Sequence, residues 1–248
     1  PVMLGGLLLM SLIRSLGAGT QTPAVNAVIP QLVPQEKLMR YNGLNGAMQS
    51  LVNFAAPAAA GAAFALGTLR TTLMIDIITA ILGNLLLFPL TLPKRETERK
   101  KAPLFSEMKT GLSYAFSDRL IGRLLILYGL LTFLCVPAGY LAGLLVRRVF
   151  GETYWHLTGV ELVGFAGMMA GGVVMSIWGG FRRREKTLAA GLLVFGACAV
   201  GMGFSRNFIL YLVLMLFYGA ALNVVQTTIT TILQEKTNPS MQGRVFGM

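Results

Sequence analysis

The chain has 248 residues, 54% of them hydrophobic and only 12% charged, and its 21 Lys and Arg outweigh 10 Asp and Glu for a net charge of +11. An ordinary soluble domain is about 45–50% apolar and about 25% charged, so the composition excludes one. A strongly basic chain invites a nucleic-acid reading, but here the basic residues flank apolar runs instead of lining one face, and that distribution excludes a nucleic-acid surface.

Seven apolar stretches fill most of the chain, at residues 2–29, 43–67, 71–93, 120–146, 157–180, 187–204 and 208–233. A bilayer core takes about 20 helical residues to cross. Lipid offers no partner to a backbone N–H or C=O, so only helices and closed barrels span it, and runs this long and continuous predict helices. With the first loop on the cytoplasmic side, the inner segments hold sixteen Lys and Arg, and the outer segments hold four: Arg70, Arg147, Arg148 and Arg206. That is the positive-inside asymmetry, and it sets the orientation.

The first span carries Arg14 near its middle. A charge at the bilayer centre costs about 2.5–3.5 kcal/mol on insertion scales, so it faces a wet cavity or a partner. Arg14 is therefore either a working group in a transport path or a structural ion-pair or snorkelling residue. The second span holds Asn53 and then Ala56-Pro57-Ala58-Ala59-Ala60-Gly61. Pro57 removes one backbone donor and bends the span, and its small neighbours admit another helix closely. The third span holds Asp76 and the fifth Glu161. Both lie near the outer ends of their helices, about 6–9 Å in at 1.5 Å per residue. A partly desolvated carboxyl there suits the loading and release of protons; the alternatives are a wet rim for both and a structural pairing of Asp76 with Arg70.

Between the third and fourth spans, a charge run over Lys94–Lys101 precedes Leu104, Phe105, Met108, Leu112 and Phe116. Their spacing of three and four predicts an amphipathic helix on the inner membrane face. Phe133 and Tyr140, seven apart on the fourth span, supply an aromatic wall. On the seventh, Asn223, Gln226, Thr227 and Thr230 recur at helical spacing and are expected to face inward with Asn53. They line a pocket for a bulky amphiphile, which is mostly apolar with a few placed polar groups, or they make interhelical hydrogen bonds alone. Cys135 and Cys198 lie inside spans as small hydrophobes, and the chain has neither a disulfide framework nor metal-ligand spacing. The lone His156 falls in an outer loop, so an intramembrane enzyme is not expected. Nor does the central loop hold a folded signalling domain, which argues against a receptor or scaffold.

The first cytoplasmic loop runs from Pro34 through Arg40-Tyr-Asn-Gly43-Leu44, and the last from Pro239 through Arg244-Val-Phe-Gly247-Met248. Six spans separate the two Arg-x-x-Gly corners, as parallel six-helix repeats of a twelve-helix secondary transporter would require. The chain starts with Pro1 inside an apolar run and stops at Met248 after a loop, so both ends are expected to be cuts through a longer protein.

Residues 14–44, with Arg14, Gly17, Gly19, Thr22-Pro23-Ala24-Val25-Asn26-Ala27, Pro30 and Leu32-Val33-Pro34-Gln35-Glu36, resemble the fourth helix and following loop of major facilitator superfamily drug exporters. The look is nearest to Mef-type macrolide efflux proteins in the drug:proton antiporter branch. Gln234-Glu235-Lys236, Pro239 and Gly243-Arg244-Val245-Phe246 are similar to the end of that family's tenth helix and its next loop. The resemblance covers essentially the whole chain as helices four to ten of twelve. It implies an all-α integral membrane fold, a fragment of the superfamily's helical bundle with about seven transmembrane helices. Residues 1–93 would then be three helices of the N-terminal bundle, 94–119 the central loop, and 120–248 four helices of the C-terminal bundle.

The implied function is proton-coupled efflux of hydrophobic drugs such as macrolides by alternating access, with export of a siderophore or other metabolite as the alternative. The resemblance associates Arg14 with proton movement, although Gly17 and Gly19 fall one position early and the family's preceding Gln is missing. Pro57 and Gly61 sit in a likeness of the antiporter motif Gly-Pro-x-x-Gly-Gly, with Ala in place of two glycines. Coupling would fall to Arg14, Glu161 and Asp76, and the substrate path to Asn53, Phe133, Tyr140, Asn223 and Gln226. Gly179-Gly180-Phe181-Arg182-Arg183-Arg184 stands where the family has a Gly, Asp and Arg gating motif; the Asp is absent, which leaves a salt bridge at that gate in question. The expected partners are the bilayer, protons and a small hydrophobic drug. A monomer without cofactor or metal is expected, multi-pass in a bacterial inner (plasma) membrane.

Overall fold

The computed structural model describes residues 2–67, 69–87, 104–151 and 154–247. Seven long helices match the seven apolar stretches: α1 (Val2–Leu32), α2 (Leu38–Leu66), α3 (Leu69–Leu87), α5 (Arg119–Phe150), α6 (Tyr154–Trp178), α7 (Arg184–Phe204) and α8 (Phe208–Lys236). Two shorter ones, α4 (Leu104–Ser117) and α9 (Gln242–Phe246), flank them, and there is no strand among the described residues. Among the described residues, four helices are long and apolar enough by length and composition to cross a membrane, in the segments Arg119–Phe150, Trp155–Trp178, Arg184–Phe204 and Phe208–Lys236.

At two helix starts, polar side chains satisfy the first free N–H groups. Asp118 accepts from Leu120 N and Ile121 N at the start of α5, and Asn207 does the same for Ile209 N and Leu210 N at the start of α8. Leucine and phenylalanine side chains stay on the outside, with Leu193 74% and Phe204 84% exposed. In water that would be costly; against lipid it is the favourable arrangement.

Helix α6 is the centre of the assembly, held between α8 on one side and α2 on the other, and its glycines explain how. A Cβ on Gly167 or Gly171 would run into the α8 backbone at Leu216 or Ala220, and one on Gly219 of α8 into the backbone of α6 at Gly164. On the opposite face, a Cβ on Gly172 would lie 2.6 Å from Ala47 N and 2.7 Å from Gly43 O of α2. Within lipid, where hydrophobic burial no longer drives association, such backbone approach supplies the packing.

Two apolar clusters cap the ends. Val225, Ile229, Ile232 and Leu233 of α8 pack with Ala115, Ile121 and Val245 at the cytoplasmic end. Val146, Val160, Met202 and Tyr211 pack at the outer end, where Phe150 meets Phe208 and Tyr211 edge-on at 5.3 and 5.6 Å. The amphipathic helix predicted in the central loop forms as α4, but it is docked on the protein. Ala115 is fully buried, the Tyr114 hydroxyl accepts from Asn238 N at 3.0 Å, and Gly111 lies against Arg244 of α9. Leu112 and Phe116 remain exposed. The charge run Lys94–Lys101 lies outside the described residues.

Candidate functional site

A cavity of about 800 Å³ lies between α2, α5, α6 and α8. Its width comes from small side chains on all four walls, among them Ala56, Ala60, Gly139, Gly143, Gly164 and Gly219. The lining reaches Leu157 and Val146, each within about a turn of the outer ends of α6 and α5, and runs inward to Asn53, Met168 and Leu222. The wall is mostly apolar, with Pro57, Phe165 and Met215, and the polar groups on it are few: Asn53, Tyr218 and Glu161. Glu161 is the one acid among its described lining residues.

Asn53 and Met168 also line a second, polar cavity of about 340 Å³, so the two spaces adjoin along the bundle. Asn223, Gln226, Thr227 and Thr230 of α8 face it, together with Asn42, Gln49 and Ser50 of α2 and Thr22 and Asn26 of α1. Asn223 is buried, accepts from the Thr227 hydroxyl at 3.2 Å and packs against Gly46, where a Cβ would stand 2.8 Å from its amide nitrogen.

Toward the cytoplasm this polar stripe closes. Thr231 follows Thr227 by one turn and donates to its carbonyl at 2.8 Å. Asn42 Nδ2 donates to Thr231 Oγ1 at 2.9 Å and to Gln234 Oε1 at 2.6 Å, while Gln234 Nε2 donates to Asn26 O at 2.8 Å. All three side chains are at least 95% buried. These bonds join α1 and α2 to α8 at the level where Gly43 and Gly172 bring the α2 and α6 backbones together. Beyond them, Gly179 and Gly180 turn the chain with φ of 77° and 75°, a left-handed backbone that glycine adopts without strain. The turn aims Arg184 at Gly179 O (2.9 Å) and at Glu235 of α8, with which it forms an ion pair at 3.3 Å. The absent Asp left a salt bridge here in question; the bridge exists, built with an acid from α8. Arg40 lies over Gly179 from the α2 side. The bundle is thus sealed at its cytoplasmic end, and its larger cavity lies in the outer half.

The structure brings Asn53, Pro57 and Glu161 together around the outer cavity, and Asn53, Asn223 and Gln226 around the polar one. Phe133 and Tyr140 stand apart, 71% and 81% exposed, on a groove of about 870 Å³ along α5 with Leu112 and Phe116 of α4. Gly61 is exposed, with open space around it. Arg14 and Asp76 fall on α1 and α3, and their side chains lie outside the described set. Sequence reasoning missed Asn42 and Thr231 and read Gln234 only within the resemblance to the end of the family's tenth helix and its next loop. Their signal was there: 223, 227 and 231 follow one another at i+4, so the polar period outlasts the apolar core of the span.

The family model described as Major Facilitator Superfamily matches residues 2–248. Macrolide efflux protein A of Enterococcus faecalis is 27% identical over 240 residues, covering 95% of this chain and 74% of that protein. The protein of the same name from Streptococcus pyogenes is 27% identical over 240 residues, and there the match takes in 95% of this chain and 59% of the relative. No solved structure matches the chain. The match over nearly every residue, on an all-helical membrane bundle, means that the chain belongs to the Major Facilitator Superfamily.

Proposed function

We propose that the chain is part of a proton-coupled exporter of bulky hydrophobic drugs, macrolides among them, working by alternating access in a bacterial inner membrane as a monomer. The observation that carries this reading is the cavity between α2, α5, α6 and α8, apolar but for Asn53, Tyr218 and Glu161, above a hydrogen-bonded cytoplasmic seal. An apolar wall with few polar groups suits a large amphiphile. Similarity to proteins named for macrolide efflux supports that substrate class.

In this reading Glu161 is the proton carrier of the described cavity, because it is the acid on its wall. Arg14 keeps a fixed charge in the path, since an arginine does not deprotonate in proteins, and Asp76 is the second carboxyl candidate. Asn53, Asn223 and Gln226 hydrogen-bond the polar end of the drug. The sealed arrangement is one half of the cycle; breaking the seal and closing the outer cavity gives the other.

The test is proton-driven uptake of a radiolabelled macrolide in inverted vesicles. Glu161→Gln, which keeps the shape and removes the titrating group, is expected to lower uptake about tenfold or more, equivalent to about 1.4 kcal/mol or more, while drug binding at equilibrium stays near wild type. Wild-type uptake in Glu161→Gln would remove this residue from coupling, and lack of macrolide uptake by the unaltered protein would point to another substrate.

A further inference from the structure

A separate pocket of about 340 Å³ opens below the seal, where α1 and the start of α2 meet the end of α8 and the segment leading into α9. By volume it has room for about eleven waters. Pro30, Gln31 and Leu38 line it from one side, and Gln234, Thr237 and Gln242 from the other. Thr237 and Gln242 are each 97% buried, yet Thr237 Oγ1 and Gln242 Oε1 have no hydrogen-bond partner. Buried polar atoms in native proteins are nearly always paired, with protein, water or a ligand.

The free valences around the pocket define what would pair them. Gln242 Nε2 donates one N–H to Gln234 O, Gln234 Nε2 one to Asn26 O, and Gln31 Nε2 one to Ala27 O. Each amide keeps a second N–H, and Gln242 and Gln31 keep an acceptor oxygen as well, beside a Thr237 hydroxyl that can donate or accept. An anion would bring only acceptors and leave the buried Gln242 Oε1 without a donor. A cation would find the Glu235 carboxylate already paired with Arg184, and exposed Lys37 and Lys236 next in sequence to lining residues. A neutral group that donates and accepts satisfies the set, and Pro30, Leu38 and Pro239 offer apolar surface to its carbon frame.

We propose that this pocket binds a small uncharged polyhydroxylated ligand of the monosaccharide or cyclitol class from the cytoplasm. Its hydroxyls donate to Gln242 Oε1 and Gln31 Oε1 and pair with Thr237 Oγ1. Because the walls come from both sides of the seal, the ligand binds only while the two sides are together and favours the cytoplasm-closed arrangement. On the efflux reading above, it is a regulator of transport; the binding itself does not depend on that reading.

The test is equilibrium binding of tritiated glucose, myo-inositol and glycerol to the whole chain in nanodiscs, with radioactive sodium and methylammonium as charged probes. Saturable binding of a polyol is expected at one site, weakened about tenfold or more by Thr237→Val and by Gln242→Leu made separately, and unchanged by Leu193→Ala on the exposed face of α7. If a buried variant does not fold, Gln31→Leu at the exposed edge of the pocket takes its place and is expected to weaken binding in the same way. Absence of saturable polyol binding, binding indifferent to these variants, or saturable binding of a cation alone would each overturn the proposal. Since no step measures transport, its failure leaves the efflux reading standing, and loss of macrolide uptake with polyol binding intact removes only the latter.

Discussion

Asn42 holds two acceptors with one amide, Thr231 Oγ1 and Gln234 Oε1, and all three side chains are buried. Removing it leaves Gln234 Oε1 buried and unsatisfied, a cost of about 1–3 kcal/mol. The cost falls on the sealed arrangement alone, because opening lets water reach the same atoms. Asn42→Ala is therefore expected to shift the population toward a cytoplasm-open state by about 5- to 150-fold. Spin labels on Arg40 and Arg182 would read this as a growing long-distance component, and an unchanged distance distribution would mean that the seal is held elsewhere. The residue scale is also where the sequence was least legible. Glu161, Asn53 and Asn223 could be picked out because a polar group in an apolar run is conspicuous. Asn42 could not, since it lies just ahead of the stretch that reads as span, and neither could the Arg184–Glu235 pair, whose partners are 51 positions apart. Phe133 and Tyr140 show the converse: spacing of seven puts them on one face of α5 but says nothing of what that face meets.

At the scale of elements the sequence spoke clearly, because a run of apolar residues long enough to cross lipid leaves the backbone no choice but a helix. What it did not disclose is which helices touch. Glycines are scattered through most spans, and only the structure separates those at a contact from those facing open space. Gly172 is of the first kind, with Ala47 N and Gly43 O where a Cβ would go, and Gly129 of the second, with nothing within 4 Å. Backbone atoms cannot turn aside as a side chain can, so Gly172→Val must push α2 and α6 apart. Overpacking of this sort costs about 1–3 kcal/mol, and each kilocalorie lowers the melting temperature of a chain this size by about 2–4 °C. Thermal unfolding in detergent is expected to show that loss for Gly172→Val and no change for Gly129→Ala. Equal melting of the two variants would mean that the α2–α6 approach is looser than described.

On the scale of the whole molecule, the two kinds of information support each other through orientation. Cationic residues place one end of the bundle in the cytoplasm, and the same end carries the Asn42 network, the Arg184–Glu235 pair and docked α4 and α9. The other end carries the mouth of the apolar cavity. On the proposed export reading, the cavity faces outward once in each cycle, and the charge pattern and the packing would then describe that state. The orientation of the bundle can be checked without measuring transport. In a background with Cys135 and Cys198 replaced by Ala, single cysteines at Arg182 and Lys236 are expected to react with an impermeant maleimide only after the membrane is opened. Cysteines at Gly151 and Arg206 should react in intact cells. All four positions are exposed, so labelling reports sidedness and not burial. Reaction of Arg182→Cys in intact cells would invert the bundle, turning its sealed end outward and its cavity toward the cytoplasm, and an exporter would then be caught in its loading state.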